Sequence, residues 1–223
     1  TNAVLIRAEQ FFNAKQLSLE AQLASTRPGP FQWIAGLYHL NNDSSGYIPV
    51  SLLFQNPEGV PLTSAPLIGV NVFPFLRGTG GNRFNKADLR SFAVYGQGSY
   101  EFSDQFKATL GLRWTEDKLN AVFSQVPYPV LGALPPTANS ARFREVTGRA
   151  ALEFRPAEDI LLYAQASRGF NVTGFNAVSG VGPVPITPEI IYAYEGGVKS
   201  AFADGRVVLN LAGFYNDYQN LNQ

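Results

Sequence analysis

Two runs of alternating residues, joined by the polar turn Ser103-Asp104-Gln105, leave this chain few ways to fold between Ser91 and Lys118. In the second run Phe106, Ala108, Leu110, Leu112 and Trp114 take one parity, while Lys107, Thr109, Gly111, Arg113, Thr115 and Asp117 take the other. Successive side chains on a strand point to opposite faces, so one face is wholly apolar and the other polar and charged. Wound as a helix, the same residues would mix both classes around the circumference. About 9–11 tilted residues carry a β-strand across a bilayer, and this run reaches that length.

The remaining chemistry narrows the choice. No apolar run approaches the roughly 18 residues of a transmembrane helix; Ile160 to Ala164 is the longest block, so a membrane would have to be crossed by a barrel. Lys plus Arg and Asp plus Glu balance at 17 each, which gives no global field for nucleic acid. There is no Cys, hence no disulfide and no Cys-ligated metal. The absence of Met, of a leader at Thr1 and of a closing strand after Tyr215 reads as an excerpt of a longer protein.

In chain order, Thr1 to Ala14 lacks a clean period and reads as a loop end or incomplete strand. Lys15 to Ser25 alternates, with Leu17, Leu19, Ala21 and Leu23 against Gln16, Ser18, Glu20 and Gln22. Arg27-Pro28-Gly29-Pro30 is a turn, with Gly29 available for positive φ. Phe31 to Leu40 is a strand of open orientation, and Asn41 to Lys86 reads as a long irregular loop. Further strands are expected at Val146 to Phe154, Ile160 to Phe170, Tyr192 to Phe202 and Arg206 to Tyr218. Their connections alternate: polar turns at 103–105, 155–159 and 203–205, and Pro/Gly-rich loops at 41–86, 124–142 and 171–190. All long loops then lie at one end, as in outer-membrane barrels with short periplasmic turns and long outer loops. The expectation is an all-β, antiparallel, up-and-down transmembrane barrel segment over 1–223, an open arc of about eight strands from a larger barrel. Trp114, Tyr100, Phe102, Phe154, Tyr192 and Tyr215 are candidates for its interfacial aromatic girdles. A soluble β-sandwich also alternates and stays open as an alternative, as does a small passive barrel or porin.

Several stretches resemble the barrel of TonB-dependent outer-membrane receptors. They are Leu110 to Lys118; Tyr163-Ala164-Gln165-Ala166-Ser167-Arg168-Gly169-Phe170-Asn171; and Pro188-Glu189 through Tyr194-Glu195-Gly196-Gly197-Val198-Lys199-Ser200, followed by Asp204-Gly205-Arg206 and Phe214-Tyr215-Asn216-Asp217-Tyr218. With Leu17 to Ser25 and Trp33 to Tyr38 the likeness spans nearly the whole chain. The resemblance implies a bacterial outer-membrane location and a roughly 22-stranded barrel with a plugged lumen. It also implies active import of a scarce nutrient, a ferric siderophore or a cobalamin-like ligand. The implied partners are outer-membrane lipid, the protein's own plug domain outside this chain, and TonB acting through the plug. It implies no catalysis, cofactor, resident metal or nucleic-acid partner. Candidate ligand residues in lumen or outer loops are Arg113, Arg149, Arg168, Glu195 and Lys199, with Glu116 and Asp117 at an outer tip and Phe73, Phe75 and Tyr128 in the loops. Any of those aromatics can equally serve to pack its own loop.

Other chemistry fits poorly. His39 is the sole histidine, so neither a His triad nor a multi-His metal site can form within the chain. An outer-membrane hydrolase would need a nucleophile and base, and a single strand-end His offers no such pair; Glu116 and Asp117 point to opposite strand faces, poor geometry for an acid/base pair. Asn41-x-Asp43-x-Ser45-Gly46 opens like a calcium loop, but Leu52 stands where a bidentate Glu is needed, so a turn is expected there. Gly78-Thr79-Gly80-Gly81 lacks the Lys and Ser/Thr of a phosphate cradle.

Overall fold

The computed structural model describes residues 3–8, 11–55, 66–67, 70–71, 80–125, 134–172, 174–178, 182–202 and 206–221. The first crossing of the wall comes in two pieces, β1 (Ala3–Ala8) and β2 (Phe11–Ala24), both antiparallel to β3 (Phe31–Gln55). Two short strands, β4 (Pro66–Leu67) and β5 (Val70–Asn71), pair with each other. The wall continues through β6 (Gly80–Glu101), β7 (Phe106–Gln125), β8 (Leu134–Ala157) and β9 (Ile160–Asn171). A small hairpin, β10 (Phe175–Val178) with β11 (Gly182–Pro185), precedes β12 (Glu189–Phe202) and β13 (Val207–Gln219). Each wall strand is antiparallel to the next, in the order β1/β2, β3, β6, β7, β8, β9, β12, β13. The sheet is open: among the described residues β2 pairs only with β3 and β13 only with β12.

Register fixes which side chains share a face. Directly paired residues lie on the same side, so the row Ala21, Leu37, Val94, Trp114 and Val146 is continuous across five strands. This outward face carries Leu110 at 59% exposure and Leu112 at 56%. The opposite face is the concave one, and there Thr115 and Asp117 fall to 4% and 7%. A single curved sheet has no second layer, and no large side chain is fully buried among the described residues. That removes the sandwich, whose two sheets would enclose a core about 10 Å thick.

Aromatic pairs mark two levels of the outward face. Phe106 stacks on Phe154 at 4.3 Å and Tyr100 meets Phe102 edge-on at 4.9 Å beside the short 102–105 turn. Higher up, Phe92 meets Trp114 edge-on at 6.4 Å. From Phe106 to Trp114, at roughly 3.3 Å per residue and a tilt of about 40°, the strand climbs about 20 Å, most of the roughly 25 Å apolar band of such walls.

The strands overrun several expected boundaries. β3 continues to Gln55 and β6 starts at Gly80, so most of the flanks of the expected 41–86 loop are paired strand, including the Asn41–Gly46 stretch expected as a turn. Of the Thr1 to Ala14 stretch, expected as a loop end or incomplete strand, Phe11 to Ala14 belongs to β2. β7 and β8 likewise extend into the expected 124–142 loop. Gly29 sits in its turn without positive φ; among the described glycines only Gly174 adopts it. The turn at 203–205 lies outside the described residues.

Candidate lumen-wall site

Concave curvature crowds inward side chains together, and the sequence answers with tyrosines laid over glycines. Tyr95 on β6 lies across Gly36 of the paired β3: a Cβ built on Gly36 would stand 2.4 Å from Tyr95 Cζ. That gap lets the phenol reach two strands away. Tyr95 Oη donates to Glu20 Oε1 at 2.6 Å and accepts from Gln22 Nε2 at 2.6 Å, both on β2. Arg113 on β7 lies 5.1 Å from the Tyr38 ring and 5.7 Å from the Tyr95 ring, within cation–π range of both, and its Nε donates to Thr115 Oγ1 at 3.2 Å. Two residues above, Asp117 is buried beside its cross-strand partner Ser91.

A second inward cluster lies nearer the short turns. Tyr163 of β9 covers Gly197 of β12, and its Oη donates to Glu195 Oε1 at 2.6 Å. Gln165 Nε2 donates to the other Glu195 oxygen at 3.1 Å, and Lys199 Nζ stands 5.5 Å from the Tyr163 ring. Arg149 and Glu153 line the same concavity. The wall thus presents charges of both signs to the lumen rather than to lipid, with Glu20 and Glu195 held by phenol and amide donors.

The expected site residues divide. Arg113, Asp117, Arg149, Glu195 and Lys199 share the inward face in these two clusters. Glu116 does not: it points outward, where Arg144 Nε at 2.6 Å and Lys118 Nζ at 3.0 Å engage its carboxylate. Neither Glu116 nor Asp117 is at a strand tip, since β7 runs on to Gln125. Arg168 sits where the β8–β9 ladder ends at Gly148–Arg168, and it bridges the parting strands. Its Nη2 donates to Glu145 Oε2 at 2.7 Å, its Nε to Tyr192 Oη at 3.3 Å, and its Nη1 to the Val146 carbonyl. Phe73, Phe75 and Tyr128 lie outside the described residues. Sequence reasoning missed Tyr38, Tyr95, Tyr163 and Glu20; the signal, an inward tyrosine directly opposite a glycine, exists only once register is known. At the upper end, Asn139 Nδ2, inward on β8, donates to the Pro183 carbonyl at 2.8 Å, which ties the β10–β11 hairpin to the wall.

The TonB-dependent receptor-like β-barrel family model matches residues 3–222. The metal-pseudopaline receptor CntO of Pseudomonas aeruginosa is 25% identical over 190 residues, covering 85% of this chain and 25% of that protein. The ferric yersiniabactin uptake receptor FyuA from Yersinia pestis superposes with a TM-score of 0.71 at 19% identity, over 98% of this chain and 30% of that one. The siderophore receptor PiuA from Acinetobacter baumannii gives 0.57 at 16% identity, over 95% and 32%. At those identities the two structures speak to fold alone. The chain spans about a quarter of the length of the curated relative it matches.

Proposed function

This chain belongs to the TonB-dependent receptor β-barrel family of the Gram-negative outer membrane, and from that premise we propose that its parent protein actively imports a ferric siderophore or a similar metal chelate. One observation supports the reading most: the family match runs over almost the whole wall, and the curated relative is a metal-pseudopaline receptor. In this reading the plug domain and TonB supply the force, and the present strands supply wall and outer vestibule. Arg113, Arg149 and Lys199 give the lumen fixed cations for an anionic chelate or for plug carboxylates. Their phenol and amide neighbours hold them without neutralising every one, as a transport path requires. Arg168 serves the same wall by tying β8 to β9, Asp117 and Glu195 orient the cationic groups, and Glu116 belongs to the outer surface. Phe73, Phe75 and Tyr128 are proposed as apolar contacts in the outer loops.

The test is accumulation of radiolabelled iron, supplied as a panel of ferric siderophores, in iron-starved cells that carry or lack the intact receptor. Receptor-dependent accumulation of at least one chelate, abolished when TonB is deleted, is expected. Uptake that persists without TonB would replace active transport with a passive pore.

A further inference from the structure

Above the apolar band, the outward face carries an arrangement that the transport reading does not use. Arg90 pairs directly with Lys118 across β6 and β7, and Lys118 with Arg142 across β7 and β8. Three cations therefore stand side by side in one row, four residues (two outward positions) above the Trp114 row, with strands about 4.8 Å apart. Arg144 adds a fourth, one outward position below Arg142 on β8. Like charges directly opposite one another destabilise a sheet, so the row calls for anions. The protein supplies few. Glu116 takes Arg144 and Lys118, and Asp88 stands 3.9 Å from Arg90 while accepting a bond from Asn120. Arg142 has no ion pair among the described residues. Asp43, the outward neighbour of Asp88, is faced by Lys15 on β2, so four cations against Glu116 and Asp88 leave a net charge of +2. The row is open to its surroundings: the side chains of Arg90, Lys118 and Arg144 are 65%, 47% and 58% exposed.

Position decides what the missing anion belongs to. The row lies on the lipid-facing side, not the lumen, and toward the long-loop end. The next outward row down holds His39, Phe92, Glu116 and Arg144, and the row below that is Leu37, Val94, Trp114 and Val146, the upper edge of the apolar band. A molecule that fills both surfaces carries phosphate above and acyl chains below. We propose that Arg90, Lys118 and Arg142, with Arg144 steadied by Glu116, form a docking site for the phosphorylated headgroup of an outer-leaflet lipid. The apolar row beneath receives its chains. The proposal rests on the outer-membrane location and is independent of what the lumen carries.

The probe is lipid A, whose two phosphates sit directly above its acyl chains, titrated onto the intact receptor and followed by native mass spectrometry. Phosphatidylethanolamine serves as the zwitterionic comparison. Retention of lipid A by the wild type is expected, with roughly fivefold weakening in R142Q, the scale of one cation near an anionic surface. At least tenfold weakening is expected in R90Q/K118Q/R142Q, with phosphatidylethanolamine unaffected. R142Q removes no ion pair seen in the wall, so it keeps the test valid should the triple variant fold poorly. K15Q/K86Q removes outward cations one and two rows higher and should leave lipid A retention unchanged. Equal retention by wild type and R142Q, or complete displacement of lipid A by excess inorganic phosphate, would overturn the proposal; the latter would mean a small-anion site.

Discussion

Glycine opposite tyrosine is the residue-scale device of this wall, and the two examples differ in what blocks a side chain. At Gly36 the obstacle is the ring end of Tyr95, 2.4 Å from the added Cβ, and a phenol can swing aside by giving up its bonds to Glu20 and Gln22. At Gly197 a Cβ would also stand 2.6 Å from the Leu211 carbonyl, main chain of the paired β13, which cannot move without the ladder. Gly36→Ala is therefore expected to lower unfolding stability by about 1–2 kcal/mol and Gly197→Ala by about 2–3 kcal/mol, the range of overpacking. Urea titration of the vesicle-embedded receptor measures both. In a Tyr95→Ser background the Gly36→Ala cost should vanish; an undiminished cost there would show that the ring is not the obstacle. None of this was legible in the sequence. The glycines stood in view at 36 and 197, but which residue each faces depends on a partner strand dozens of positions away.

At the scale of the element, strand β7 shows where sequence does speak. Its lipid-level stretch from Phe106 to Trp114 alternates because lipid lies on one side and the lumen on the other, so parity alone predicted both faces. Beyond the apolar band the outward face meets water, the demand for apolar residues lapses, and alternation fades. That is why 41–55 and 80–86, with Asn, Asp, Ser and Lys on both parities, read as loop although they are paired strand. The same physics sets a test on neighbouring residues. Leu110 faces lipid at 59% exposure, whereas Thr109 faces the lumen. Leu110→Arg is expected to cost about 2–4 kcal/mol of folding stability in a bilayer, and Thr109→Arg well under half of that, because only the first forces a guanidinium into hydrocarbon. Matching losses from reversible unfolding in vesicles would mean that the two faces have been exchanged.

For the molecule as a whole, the governing fact is that the sheet has two edges. Among the described residues, β2 and β13 each leave one side of the backbone without a strand partner. In hydrocarbon an unsatisfied peptide group costs several kcal/mol. A strand of about ten lipid-level residues offers about ten such groups along one edge, so each bare edge costs tens of kcal/mol, more than the net stability of a typical domain. An arc of this kind is stable in a bilayer only with neighbours on both sides, as the roughly thirty per cent coverage of the larger receptor structures allows. Residues 1–223 expressed alone and added to vesicles should therefore give no monomeric species whose gel mobility changes on boiling, the usual mark of a folded barrel. They should instead accumulate as oligomers joined edge to edge, sensitive to urea. A monomeric, heat-modifiable and urea-resistant product would require β2 to pair with β13. Eight strands suffice geometrically for such a closure, but it would tighten the curvature and press Tyr95, Arg113 and their neighbours into a lumen with no room for a plug. Cysteines placed at Leu19 and Leu211 distinguish the outcomes, since only closure brings those outward-facing positions within disulfide reach in the monomer.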